Sequence, residues 1–293
     1  MFDDLLAEIK GFWTSIPDKP EETPETIFRS LYLAAAGIPA SAEKSLEVEL
    51  PELDAEARER LQKLINLKKT GVPLGHLTGR QRFLNIDFIA ASYAMIPRKE
   101  TEILGRLALS KMDSLVLMRD QVRVVDLCTG SGNLALAYAY YQHRCRVFAS
   151  DLSPEALDLA RQNSRYLGQD LVEFRQGDLF VPFNSDDFVG KVDLISCNPP
   201  YISAAKVPQM PKEISSFEPP MAFNGGVYGV SVLRRLIQES PRYLRPESWL
   251  CFEVGLGQGQ AITEQLRKNP SYRIVETGHD DAGEIRAICA QTL

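Results

Sequence analysis

Four consecutive residues, Asn198, Pro199, Pro200 and Tyr201, directly follow the apolar run VDLISC that ends at Cys197. A proline has no N–H and a fixed φ, so two in succession cannot continue a strand ladder and impose a rigid, extended turn. Such a turn would hold the Asn198 carboxamide and the Pro199 carbonyl as fixed acceptors at a strand end, with Tyr201 as an aromatic wall. This suits methylation of an –NH2 group on an sp2 centre. An amide nitrogen is a poor nucleophile because its lone pair is delocalised. Two acceptors aimed at its hydrogens hold the nitrogen and favour the positive charge that develops on it as it reacts, and fixed orientation aligns it with the group being transferred. Asn198 and Tyr201 are therefore the candidate catalytic residues, and Asn198, Pro199, Pro200 and Tyr201 the candidate substrate contacts. Asn-Pro also forms plain structural turns, but here it ends the strand expected beside the nucleoside-binding features below.

The segment Val124 to Asn133, VVDLCTGSGN, is an apolar strand running into a glycine-rich turn and then a helix. Gly130 and Gly132 permit backbone conformations that a side chain forbids, so a ligand can lie against the main chain. The spacing departs from the G-x-G-x-x-G dinucleotide fingerprint; the compact D-x-x-x-G-x-G form resembles loops that cradle a methionine and a ribose in methyltransferases. The next strand, CRVFAS, ends at Asp151, placed to accept hydrogen bonds from two ribose hydroxyls. After a third strand come Gln176, Gly177, Asp178 and Leu179. Asp178 is placed to accept from an exocyclic adenine amine, and Leu179 to cover the base. Taken singly, each has a plain alternative: a tight turn, or a solvated carboxylate at a strand end. Three such features at successive strand ends converge on one crevice, as ligand sites of open α/β sheets do.

The elements that must position these residues follow from periodicity. Residues 1–80 read as helical. Leu5, Leu6, Ile9, Phe12 and Trp13 fall on one face; Thr23 and Pro24 open a helix that stops at Gly37; Asp54 caps another that closes at Gly71. Ten basic against fourteen acidic residues leave this part acidic, and nothing in it looks catalytic. RFLNIDFIAASYAMIP, ending at Pro97, has the composition of a β-hairpin, giving a linker over 81–100. Over 101–293, apolar strands (RVVDL, CRVFAS, VEFRQ, VDLISC, SWLCFEV, YRIVETG, IRAICA) alternate with amphipathic helices, which predicts an α/β fold with a mostly parallel, Rossmann-like sheet.

The formal charge of −6 weakens a role in gripping phosphate backbones, which draws on a basic surface. The five cysteines are scattered without metal or redox spacing, and read as buried small residues in a reducing compartment. His76, His143 and His279 share no metal-like spacing, so no metal is expected. MFDDLLAEIK lacks the form of a signal peptide, and no apolar run is long enough to span a bilayer. A cytoplasmic protein without membrane attachment is the expectation. Glu253 reads as a buried capping carboxylate, and Arg234 and Arg235 on SVLRRLIQES as solvated.

With these residues in place, the sequence resembles the HemK-type protein-(glutamine-N5) methyltransferases, specifically the branch acting on peptide chain release factors. The resemblance covers nearly the whole chain, residues 1–70 only in helical character. It is carried by GVPLGHLTGRQRFLNIDF, IPRKETEIL, DLCTGSGNLALA, DLSPEALDLARQN, QGDLF, NPPYI, FEPPMAFNGG, EVGLGQGQ and HDDAGEIRAICA. It implies a small N-terminal helical domain for substrate recognition, a β-hairpin linker and a class I S-adenosylmethionine-dependent methyltransferase domain. It also implies methylation of the glutamine in the Gly-Gly-Gln loop of release factors. S-adenosylmethionine, leaving as S-adenosylhomocysteine, would contact Cys128, Thr129, Gly130, Ser131, Gly132, Asp151, Leu179 and Asn198, with Asp178 joining from the strand-end reading. Three departures stand out. Cys128 lies where this branch often has glycine and resembles the sister branch acting on a ribosomal protein, Lys99 replaces an expected proline, and Pro220 to Asn224 is unusual. They bear on which amide is the substrate. Adenine-N6 methylation of nucleic acid is the rival chemistry, since that amine is also conjugated, but the acidic helical part does not look like a DNA-reading domain. A binding protein that kept the fold is disfavoured by the complete set of polar contacts.

Overall fold

The computed structural model describes residues 2–293 apart from positions 17, 204, 206, 207, 209, 211, 224, 227 and 228. Asn224, the last residue of the third departure, thus lies outside the described residues. The chain packs as two compact units, Met1–Lys99 with Met210–Pro219, and Glu100–Gln209 with Pro220–Leu293. The hairpin region falls within the first unit.

In the first unit, α1 (Phe2–Phe12), α2 (Pro24–Ala35), α3 (Ala55–Lys69) and the short α4 (Leu74–Thr78) enclose Ile9, Ile27, Phe28, Leu31, Leu61, Ile65 and Leu74. Thr23 caps α2 through a reciprocal pair with Thr26, and the Asp54 carboxylate accepts the Ala57 N–H at 2.7 Å to start α3. Lys68 completes the inward face of α3, but its buried amine pairs with Glu22 at 2.8 Å and with Glu213. β1 (Arg80–Phe83) and β2 (Ile86–Ile89) form the hairpin, joined by Leu84 and Asn85, both at positive φ. Such a turn matches the twist of the strands it joins. The pairing is shorter than the composition suggested: the Ala90 N–H closes onto the Gly79 carbonyl, and turns follow.

The second unit opens with α5 (Thr101–Met118) and alternates β3 (Val122–Leu127), α6 (Asn133–Tyr141), β4 (Cys145–Asp151), α7 (Pro154–Leu167), β5 (Glu173–Gln176) and β6 (Val192–Cys197). The segment Met210–Pro219, which holds α8 (Lys212–Ser215), belongs to the first unit. Then come α9 (Ser231–Glu239), β7 (Leu244–Glu253), α10 (Gly259–Arg267), β8 (Tyr272–His279) and β9 (Ile285–Thr292). The sheet order is β5-β4-β3-β6-β7-β9-β8, parallel except for β9, which is antiparallel to both its neighbours. This is a Rossmann-like class I arrangement, as expected. From β3 the chain winds outward through β4 and β5, then returns to β6 on the other side, so the order reverses between β3 and β6. Ligand crevices of open α/β sheets lie at that point, beyond the carboxyl ends of the strands.

The reading of the cysteines fails in part. Cys251 and Cys289 are cross-strand partners on β7 and β9 and are joined as a disulfide, and Cys128 and Cys145 are only partly buried. The Arg235 side chain on α9 lies about half exposed, as expected, with its guanidinium paired at the surface to Asp178 and Glu239. Among the described residues, no helix is long and apolar enough to cross a membrane.

Candidate active site

Strand register decides which residues share the carboxyl edge. Leu127 pairs with Ser150 on one side and with Cys197 on the other; Asp151 pairs with Gln176, and Cys197 with Phe252. Gly177, Asp151, Cys128, Asn198 and Glu253 therefore stand in order along one edge, spaced by the ~4.8 Å between neighbouring strands.

The glycine loop is fastened from beneath. Asp126, fully buried in β3, accepts from Thr129 Oγ1 at 2.6 Å and from Ser196 Oγ of the adjacent strand at 2.5 Å. Burial pushes its carboxyl up to about 7, with the two hydroxyls opposing the shift. Gly130 donates its N–H to Asp151 Oδ2 at 2.8 Å, and Asn163 Nδ2 donates to the Ser131 carbonyl at 3.0 Å. Gly132 is left-handed at φ +81, and a Cβ there would press on Ala160 and Leu136 at 3.1 Å. At Gly130, φ +56, a Cβ would meet nothing within 4 Å, so open space lies against that stretch of backbone.

The expected contacts divide into those free to meet a ligand and those already engaged. Thr129 is already engaged: its hydroxyl donates to Asp126, its N–H to the Ser150 carbonyl, and its own carbonyl accepts from Gly132. Ser131 is buried, with its hydroxyl 3.5 Å from Asn133 Oδ1. Cys128 is left-handed at φ +56, a conformation that favours glycine. Its thiol faces Cys197, whose own thiol is pushed up by burial. Each oxygen of Asp151 accepts one backbone N–H, Gly130's or Ser153's, which leaves a second lone pair on each. Burial raises its pKa against those N–H groups. Asp178 is half exposed, and one of its oxygens is held by Arg235 at 2.8 Å. Leu179 is buried in the core at φ +46, so a base would meet only what this packing leaves at the surface.

The Asn198 to Tyr201 turn is enclosed by closely approaching backbone. Ile202 donates to the Phe223 carbonyl at 2.9 Å and accepts from Gly225 at 2.8 Å. A Cβ on Gly229 would lie 2.2 Å from the Tyr201 carbonyl, which explains a glycine there. Gln258 accepts from Gly255 N–H and donates to the Tyr201 carbonyl at 3.1 Å. The Tyr201 hydroxyl donates to Glu253 Oε1 at 2.8 Å, and burial beside that carboxyl holds the phenol protonated. Asn198 Nδ2 donates to Thr101 Oγ1 at 3.1 Å. Burial pushes Glu253 up to about 7, opposed by the Thr101 and Tyr201 hydroxyls and by Arg286. Arg286 is itself gripped in bidentate fashion by Glu100, at 3.0 and 2.8 Å. Asp126, Thr101, Glu253 and Gln258 were not singled out from sequence as site residues. Thr101 lies within IPRKETEIL and Gln258 within EVGLGQGQ, motifs without an assigned role, while Glu253, read only as a buried capping carboxylate, is indeed buried.

Comparison with known proteins agrees with this geometry. A methyltransferase-domain family model matches residues 118–277. A release factor glutamine methyltransferase of Moorella thermoacetica is 36% identical over 240 residues, 82% of each chain. One of Xylella fastidiosa is 40% identical over 214 residues, 73% of this chain and 74% of its own. The solved hMettl16 catalytic domain superposes with a TM-score of 0.54 over 83% of each chain at 16% identity, which is a likeness of fold. The protein is an S-adenosylmethionine-dependent methyltransferase and belongs to the release factor glutamine methyltransferase family.

Proposed function

We propose that this chain methylates N5 of a glutamine side chain in peptide chain release factors, at their Gly-Gly-Gln loop. The observation that carries the proposal is the Asn198-Pro199-Pro200-Tyr201 turn, set at the carboxyl end of β6 beside the glycine loop that ends β3. The residues along this edge suit S-adenosylmethionine. Open backbone at Gly130 gives its methionine and ribose room, and the spare lone pairs of Asp151 suit two ribose hydroxyls. When bound, the cofactor supplies an electrophilic sulfonium methyl group. Asn198 Oδ1 and the Pro199 carbonyl accept the two amide hydrogens of the glutamine, and that orients its nitrogen and favours charge developing on it. Tyr201, tied to Glu253 and kept protonated, serves as a fixed wall and not as a base.

The helical unit, with its own core, is assigned to recognising the protein partner. The test is incubation with labelled S-adenosylmethionine and purified release factors, then mapping the modified residue by mass spectrometry. Label on the Gly-Gly-Gln glutamine supports the proposal; label confined to another residue, or to nucleic acid, overturns it.

A further inference from the structure

The Glu253 carboxyl is 1% exposed, yet only one of its oxygens is satisfied. Oε1 accepts from Tyr201, whereas Oε2 is buried with no hydrogen-bond partner among the described residues. An unmatched buried oxygen is costly, so a hydroxyl lying beside it is favoured as its donor. Thr101, 2% exposed at the first position of α5, is the other hydroxyl that acts on this carboxyl, though it does not close a full hydrogen bond on Oε2. The same Thr101 oxygen receives Asn198 Nδ2.

We propose that Thr101 and Glu253 are positioning residues that fix which way the Asn198 carboxamide faces. In its ionised form the Glu253 carboxylate, on which the Thr101 hydroxyl acts, only accepts, so it draws the single Thr101 hydroxyl hydrogen towards itself. The lone pairs of Thr101 then face Asn198, where they receive Nδ2–H. A carboxamide has one donor end and one acceptor end, so with Nδ2 committed to Thr101, Oδ1 is left to meet the substrate. Were Thr101 to donate to Asn198, the amide would turn over and present N–H groups to an –NH2 substrate, donor against donor. This inference rests on the proposed role of Asn198 as acceptor for the target nitrogen. The direction of the Asn198 amide, however, can be read without any substrate.

Three variants test it. Thr101→Val keeps shape and removes the hydroxyl, Thr101→Ser restores it, and Glu253→Gln keeps size but places a donor beside Thr101. Thr101→Val and Glu253→Gln are expected to lower kcat by about 10-fold or more, as for loss of part of a preorganised array, with KM and cofactor affinity within about twofold. Thr101→Ser should stay within about threefold of wild type, because one side-chain hydrogen bond is retained. Glu253→Gln should do this while raising thermal stability, which separates orientation from packing. In selectively 15N-asparagine-labelled, ligand-free protein, the Asn198 side-chain amide hydrogens should exchange slowly in wild type and Thr101→Ser, and rapidly in Thr101→Val. Wild-type kcat in both Thr101→Val and Glu253→Gln overturns the proposal. So do unchanged Asn198 amide signals in Thr101→Val, whatever the substrate proves to be. Release factor left unmethylated by wild type, with the amide signals behaving as expected, would count against the assigned substrate alone.

Discussion

The two halves of the active-site edge each rest on a buried strand-end carboxyl that burial raises to about 7. They are finished differently. Beneath the glycine loop, both oxygens of Asp126 are capped by hydroxyls, from Thr129 of the loop and Ser196 of the neighbouring strand. Beneath the Asn198 turn, Glu253 closes a full hydrogen bond on Tyr201, while among the described residues Oε2 has only the looser influence of the Thr101 hydroxyl. A satisfied network locks a loop in one shape; an incompletely satisfied one retains a stake in how its neighbours orient. The cofactor side is therefore a built cradle, and the substrate side a tuned one.

Substitutions should divide along that line. The largest effect is expected at Asn198. Asn198→Ala should lower the single-turnover rate by about 100-fold or more at saturating cofactor, the scale for one preorganised group at the reacting centre. Cofactor affinity, measured by calorimetry, should change far less. Loss of affinity equal to the loss of rate would erase the distinction between the halves. Asp151→Ala should show the converse: S-adenosylmethionine binding weaker by about 1.5–3 kcal/mol, as for hydrogen bonds to a charged group, with turnover largely recovered at saturation. Unchanged affinity in a folded variant would remove Asp151 from the ribose role.

A pH series sharpens the contrast at Glu253. Its folded pKa of about 7 lies above the ordinary carboxyl value of 4.5. Its contribution to stability is therefore complete below about pH 4.5 and is lost as pH rises through about 7. Glutamine does not ionise, so the stability advantage of Glu253→Gln should widen across that window, to about 3 kcal/mol above it. Denaturant midpoints at pH 5 and pH 8 would measure this, and an equal gap at both would show that Glu253 is not the titrating group. The smallest effect is expected for Arg235→Ala. The pair it forms with Asp178 is about half exposed, so cofactor affinity should move by about threefold or less. A larger loss in calorimetry would make Arg235 a direct contact.

What the sequence made legible was whatever is carried by neighbouring residues. The capped starts of α2 and α3, the glycine loop and the two prolines after β6 each impose their geometry within a few positions. Strand alternation also sufficed to order Gly130, Asp151 and Asn198 along one edge. The pairings between distant residues were not legible. Thr101 and Glu253 come together only once α5 and β7 are packed, Asp126 meets Ser196 only through the β3–β6 register, and Arg235 finds Asp178 only with α9 in place. Cys251 and Cys289 look scattered until antiparallel β9 sets them opposite one another. Periodicity describes the face of an element and says nothing of its partner.

The central claim is that Asn198 works with both ends of its carboxamide, the nitrogen anchored on Thr101 and the oxygen turned to the target amide. Asn198→Asp tests this most directly, compared with Asn198→Ala in single-turnover methyl transfer at saturating cofactor. Aspartate keeps an acceptor oxygen but has no hydrogen for Thr101, whose own hydrogen is drawn to Glu253. The account predicts that Asn198→Asp is as damaging as Asn198→Ala, each about 100-fold below wild type. An aspartate variant that keeps at least about 10-fold more activity than the alanine variant would show that the acceptor alone matters, and would contradict the anchored amide.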